Sequence, residues 1–202
     1  MTVLPVTGPF TITATFGQQG PYWSKGHQGI DFVAPDRRVF CTCYGTVRLV
    51  SYDAKGWGYY VSVGDRDGRR HIFCHLKENS VTVKAGDPVT PLTVLGEMGA
   101  TGNVTGLHLH YQLQQGNVVV DPAAYLGIPN RVGNYHSNDF QIKEKPAMTF
   151  RDQAEIPDWA QTAVQTVADQ GLMVGDDQGN FRPNAPVTRA ELAAVLERLL
   201  NR

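Results

Sequence analysis

Apolar and polar residues alternate along Gly106-Leu107-His108-Leu109-His110-Tyr111-Gln112-Leu113, the period-2 signature of a β-strand. Leu107, Leu109, Tyr111 and Leu113 fall on one face, and His108, His110 and Gln112 on the other. Short β-rich runs precede this strand at residues 11–16, 26–32, 39–50, 57–63 and 70–76, with turns at 53–56 and 64–68. A pair of short strands is expected within 81–94, a glycine-rich loop over 96–106, a strand at 118–120 and a helical turn ending near Gly127. No long helical period occurs before residue 128, so residues 1–128 are expected to form a mainly antiparallel β domain.

Residues 129–147 carry Pro, Gly, Asn, Ser and Lys with little periodicity and read as a linker. The pattern then changes. Ala160, Ala163, Val164, Val167 and Ala168 recur at the spacing of an amphipathic helix, with Gly171 placed to stop it. Thr188-Arg189-Ala190-Glu191 fits a capping box, in which hydroxyl and carboxylate each bond a free backbone N–H at a helix start. Leu192, Val195, Leu196, Leu199 and Leu200 form the apolar stripe of that second helix. Residues 148–202 are thus expected to be a small α-helical hairpin, which buries too little surface to be stable without packing on something else.

Charge and composition narrow the classes. The net charge is −1 with no basic cluster, so there is no electrostatic case for nucleic acid. No segment approaches the roughly 20 apolar residues of a membrane span, and no insertion is expected. The N-terminus lacks a basic region followed by an apolar run, so the chain is expected to be made in the cytoplasm without a signal peptide. Cys41, Cys43 and Cys74 cannot all pair, and they read as small buried residues rather than ligands.

The chemistry-bearing residues are histidines. His27 and Asp31 sit four apart across Gly29, and His110 can complete a three-ligand site of two imidazole nitrogens and one carboxylate oxygen. Zinc accepts such a set and leaves a fourth position to water or substrate; manganese or cobalt also suits these ligand types. His75 and His108 remain to flank the open position as hydrogen-bonding or proton-transfer groups. Tyr22 or Tyr111 is a further donor to consider, although an aromatic beside a site more often packs.

His27-Gln-Gly-Ile-Asp31, Phe73-Cys-His75-Leu and His108-Leu-His110-Tyr resemble, in order, the three motifs of the lysostaphin-type zinc metallopeptidases. The loop at 96–106 is similar to that family's approach to its histidine pair, and the likeness spans roughly residues 8–128. The resemblance implies zinc on His27, Asp31 and His110, with His75 and His108 as catalytic histidines. It also implies hydrolysis of peptide bonds in the stems or cross-bridges of bacterial peptidoglycan. Which histidine is the general base stays open. Gln112 stands where the family often has an acidic residue, and on its strand face it is placed to support a histidine. By alternation His71 shares the face of His75 and is expected near solvent or behind the site, and His136 lies in the linker without a role.

The tail resembles a single S-layer homology motif, through Phe150-Arg-Asp152, Pro157-Asp-Trp159-Ala160, the 171–183 segment and Thr188-Arg189-Ala190-Glu191. That relation implies anchoring to a secondary cell-wall polysaccharide, with Asp152, Trp159 and Arg189 at the contact positions. An Arg pairs with an anionic substituent and a Trp stacks on a sugar ring; equally, Arg189 can salt-bridge nearby acids and Trp159 can be core. Such motifs act in threes, so one motif per chain suggests a homotrimer or a tail packed on the peptidase domain. The leading expectation is a phage endolysin. A bacterial autolysin, an inactive wall-binding or assembly factor, and a metallopeptidase acting on secreted proteins are the alternatives.

Overall fold

The computed structural model describes residues 3–140 other than 22 and 24, and 150–200 other than 170 and 171. The chain divides into two compact units, Met1–Ile142 and Lys143–Arg202.

The first unit contains β1 (Pro9–Ala14), β2 (Ile30–Val33), β3 (Arg38–Phe40), β4 (Gly45–Asp53), β5 (Gly58–Asp65), β6 (Arg69–Leu76), β7 (Pro88–Val89), β8 (Val94–Glu97), β9 (Leu109–Gln115), β10 (Val118–Val120), α1 (Pro122–Leu126) and β11 (Gly133–His136). Nine strands form one sheet in the order β11-β1-β2-β9-β6-β5-β4-β7, with β10 paired to β9; β3 and β8 form a separate ribbon. Every pairing is antiparallel, as the short alternating runs and tight turns require.

β9 lies at the centre, between β2 and β6. Leu109 pairs with Phe32, and Tyr111 with both Ile30 and Phe73, and all five are fully buried on one face. Each such side chain contributes roughly 1.5–3 kcal/mol through burial. The opposite face of the same strands carries Asp31, Cys74 and His110 in one row, because His110 pairs with Asp31 on one side and with Cys74 on the other. Large apolar residues on one face therefore hold the chemistry-bearing ones in register on the other.

The expected linker is ordered at its start. Residues 133–136 form β11, which pairs with β1, and Tyr135 packs on Phe10 and Phe140. Polar composition hid this strand because it lies at the sheet edge, where only Tyr135 needs to be apolar. Residues 141–147 of that segment lie outside the described residues. The three cysteines are buried and free, as expected.

His71 departs from expectation. It is fully buried on the core face, where Nδ1 lies 2.7 Å from Tyr111 Oη and 3.1 Å from Thr42 Oγ1, and Nε2 lies 3.2 Å from Asp65 Oδ2. Strict alternation would have put His75 on that face too. His75 has φ 62°, so the chain turns left-handed there and swings its imidazole to the opposite side.

In the second unit, α2 (Asp158–Asp169) and α3 (Arg189–Leu200) are the two expected helices. The capping box forms: Glu191 N–H donates to Thr188 Oγ1 at 3.1 Å, and Thr188 N–H donates to Glu191 Oε2 at 2.8 Å. Gly171, the expected stop of α2, lies outside the described residues. Phe150, Ile156, Val164 and Ala168 make a small core, while α3 buries none of its residues. No helix among the described residues is long and apolar enough to cross a membrane.

Candidate metal centre

Three elements deliver the metal-type ligands. His27 follows Gly26, whose φ of 83° turns the chain back so that His27 N–H donates to Gln18 O and Gly17 N–H to His27 O. Asp31 comes from β2 and His110 from β9, as direct cross-strand neighbours. Asp31 Oδ1 lies 2.8 Å from His110 Nδ1 and 3.2 Å from His27 Nε2, and the two nitrogens are 3.0 Å apart. All three residues are buried.

The hydrogen bonds define what this cluster can hold. His27 Nδ1 faces Thr15 O at 2.9 Å, and a carbonyl only accepts, so Nδ1 carries a proton and Nε2 is the nitrogen turned to the cluster, with a lone pair when the ring is neutral. Trp23 stacks on the ring at 4.5 Å and fixes its orientation. A neutral His27 would set its Nε2 lone pair against the Asp31 carboxylate, so this contact takes a cation, either a proton on the imidazole or a metal ion between the two groups, and His110 Nδ1 points at the same place. Burial alone would raise the Asp31 carboxyl, but hydrogen bonds from His110 and His27, and their charge, outweigh it and hold Asp31 well below the usual carboxylate range. Two imidazole nitrogens and one carboxylate oxygen, converging on one buried point, fit a catalytic rather than a closed structural zinc site.

Gly29 makes this convergence possible. A Cβ there would stand 2.5 Å from Tyr111 O and 2.6 Å from His110 Cε1. Gly29→Ala is therefore expected to displace His110 and lower metal uptake by the cluster at least about tenfold, while the core face remains folded. Metal content after dialysis at limiting zinc checks this; full occupancy would show that the backbone yields instead of the imidazole.

His75 and His108 sit beside the cluster. Their ring centroids are 4.8 Å apart, and His75 lies 5.9 Å from the His110 ring. Each places Nδ1 2.9 Å from a backbone carbonyl, His75 at Thr101 O and His108 at Gly106 O, so each turns Nε2 away from its anchor. His108 Nε2 is 3.8 Å from Asp31 Oδ2. The His75 pKa is lowered to about 4, chiefly by burial and then by the charges of His108 and His110, against the opposing hydrogen bond to Thr101. In metal-free protein the folded state therefore refuses a proton that the unfolded chain accepts. Stability is expected to fall by roughly 3 kcal/mol as pH drops from about 6.5 to about 4, and His71, also lowered chiefly by burial, acts in the same direction. Urea melts across that window check it; a flat profile would sink it.

Some expected participants lie elsewhere. Tyr111 is buried on the core face and bonds His71 and Thr42, so it is a packing residue and not a donor to the site; Tyr22 lies outside the described residues. Gln112 shares the histidine face, but no hydrogen bond joins it to His108 or His110, and its buried Oε1 has no partner. The anchors the sequence did not reveal are backbone carbonyls of Thr15, Thr101 and Gly106, which any residue supplies. Thr101 was signalled only by the glycines around it. A Cβ on Gly58 would meet Thr101 O at 2.3 Å, and one on Gly102 would meet Gly58 N at 2.3 Å, so the 96–106 loop must lie directly on the 56–58 turn.

In the C-terminal unit Asp152 spends both oxygens on backbone, accepting from Phe181 N–H at 2.8 Å and Arg182 N–H at 2.6 Å. It clips the 176–182 loop. Trp159 is 87% exposed and so is not core, and Arg189 is exposed with no ion pair among the described residues.

Comparison with known proteins agrees with both regions. Residues 25–122 match peptidase family M23, and residues 149–193 match the S-layer homology domain. Among curated relatives, the peptidoglycan DD-endopeptidase ShyC of Vibrio cholerae is 33% identical over 99 residues, covering 48% of this chain and 22% of that protein. The chain thus spans only about a fifth of that relative's length. Among solved structures, the catalytic domain of a prophage-encoded M23 protein, EnpA from Enterococcus faecalis, aligns with a TM-score of 0.54 at 26% identity, covering 61% of this chain and 97% of that one. A zinc-containing peptidase from Vibrio cholerae aligns with a TM-score of 0.52 at 26% identity, covering 60% and 39%. The mainly antiparallel fold, the ordered histidine motifs and these matches make the N-terminal unit a lysostaphin-type domain of peptidase family M23, followed in the same chain by an S-layer homology domain.

Proposed function

We propose that the chain is a zinc-dependent endopeptidase that hydrolyses peptide bonds in bacterial peptidoglycan, tethered to the wall by its S-layer homology domain. The observation that carries this reading is the convergence of His27, Asp31 and His110 on one buried point, with two carbonyl-anchored histidines beside it. Zinc held by those three residues supplies Lewis acidity toward a peptide carbonyl and acidifies water.

The remaining steps belong to side chains. His75, neutral at physiological pH with Nδ1–H given to Thr101 O, presents its Nε2 lone pair to take a proton from the attacking water. His108, whose Nε2 lies 3.8 Å from Asp31 Oδ2, is placed to steady the developing oxyanion and to protonate the leaving amine. Burial of His75 and His110 in the site wall keeps bulk water from competing for these bonds.

Incubating purified sacculi with the protein, with and without a chelator, tests this. New amino termini by mass spectrometry, lost with chelator and restored by zinc, are expected. Intact sacculi with the protein still bound would instead make the chain a wall-binding module.

For the tail, exposed Trp159 is available to stack on a sugar ring and exposed Arg189 to pair with an anionic substituent, while Asp152 orders the 176–182 loop. The ligand we assign is a secondary cell-wall polysaccharide. Leu192, Leu196, Leu199 and Leu200 of α3 are each about half exposed or more, which favours association of three tails into a homotrimer. A monomeric mass by light scattering at micromolar concentration would count decisively against it. Release from a phage-infected cell, as an endolysin made in the cytoplasm, is the biological setting we favour over a bacterial autolysin. The likeness to a prophage-encoded M23 protein supports it.

A further inference from the structure

The sheet face that carries His110 also carries positive charge at its far end. Arg70 pairs with Gln114 of β9, and Gln114, Gln112 and His110 alternate onto one face, so Arg70 shares that face. Cys74, four residues along β6, pairs with His110. Arg70 therefore stands about 13 Å along the strand from the metal-type cluster. Arg48 joins it from β4. The register slips between Val47 and Leu49, so Arg48 is the extra residue of a β-bulge, and its side chain lies across Gly64, where a Cβ would stand 2.5 Å from Arg48 Nε. Gly64 is the direct neighbour of Arg70 on the adjacent strand.

Neither arginine has an acidic partner among the described residues. Arg70 Nε donates to the neutral Ser62 Oγ at 2.7 Å, and Arg48 is exposed. The contrast with Arg69 is informative: that side chain, one residue away on the other face, pairs with both Asp65 and Asp67 and lies over the Tyr125 ring. Charge is neutralised on the core side of this sheet end and left open on the site side.

We propose that Arg48 and Arg70 form an anion subsite, which takes a carboxylate of the wall peptide while the extended chain reaches back to the metal-type cluster. At about 3.3 Å per extended residue, that carboxylate belongs to a residue about four positions from the cleaved bond. The proposal rests on the endopeptidase reading above and adds a preference for an acidic peptide to it. Guanidinium groups bind carboxylates through paired charge-assisted hydrogen bonds, so removing both is expected to cost about tenfold or more in substrate recognition.

The test uses the full-length, zinc-loaded protein on sacculi left untreated or amidated with carbodiimide and ammonium, which neutralises peptide carboxylates. Wild-type protein is expected to release fragments from untreated sacculi at least about tenfold faster, with the difference in KM rather than kcat. In R48Q/R70Q that ratio is expected to fall near one. The exposed-site variant R48Q, which carries little folding risk, is expected to give an intermediate ratio. Equal rates of wild type on both substrates would overturn the subsite and leave the peptidase reading standing. A preserved preference in R48Q/R70Q, or an equal loss on both substrates, would overturn it as well. If wild-type protein cuts neither substrate, the endopeptidase reading fails first and the subsite with it.

Discussion

Asp31→Asn is expected to weaken zinc binding by at least about a hundredfold and wall hydrolysis by at least about a thousandfold. The substitution preserves shape and removes charge. Asp31 Oδ1 sits within 3.2 Å of both imidazole nitrogens and is the only anionic donor of the three, so the amide leaves two neutral ligands to hold a dication. The same change has a stability readout. A ligand that binds only the folded state stabilises it by about 4 kcal/mol at a thousandfold excess over its dissociation constant. Zinc is therefore expected to raise the melting temperature of wild-type protein clearly and that of Asp31→Asn hardly at all. Metal analysis and melting with added zinc check both halves. Stoichiometric zinc with undiminished hydrolysis in the variant would remove Asp31 from the site.

The second large effect is expected at His75, where chemistry and backbone can be separated. Asparagine tolerates a left-handed φ better than most residues, so His75→Asn keeps the 62° turn at low cost while removing the basic nitrogen. Zinc content is expected to stay near one per chain, because His75 is not among the three converging ligands. The turnover number is expected to fall by about 10²–10⁴-fold, the range for a lost general base. His75→Val places a β-branched residue at the same φ and is expected to lose stability as well as activity. If His75→Asn turns over at the wild-type rate, proton transfer belongs to His108 and the assignment of roles reverses.

These expectations show which parts of the molecule are local properties of its sequence. The β9 strand is written in the alternation of residues 107–113, because a strand with one buried face must place its apolar residues two apart. The same alternation put His108 and His110 on one side. The capping box at Thr188 and Glu191 was readable because it closes within four residues and needs no tertiary partner. The ligand types at 27, 31 and 110, and the extra histidines at 75 and 108, were visible as chemistry that a polar sheet face does not otherwise need.

The tertiary structure decided what alternation and composition leave undetermined. His71 and His75 read as neighbours on one face, and a single left-handed residue sent one to the core and the other to the side of the His27, Asp31 and His110 cluster. Register across β2, β9 and β6 set Asp31 and His110 side by side, and nothing within either segment determines a pairing between residues 79 apart in sequence. The carbonyls that orient His27, His75 and His108 are backbone atoms, identical for every residue type, so only the path of the folded chain reveals them. The edge strand at 133–136 was concealed for a related reason: it satisfies backbone hydrogen bonds on β1 without an apolar face of its own. Arg48 joined Arg70 only through a bulge in β4. Sequence determined the candidate ligands and the strand that presents one of them; three-dimensional register and one reversed φ decided which of them meet, because contact between distant residues is a property of the packed sheet rather than of any segment within it.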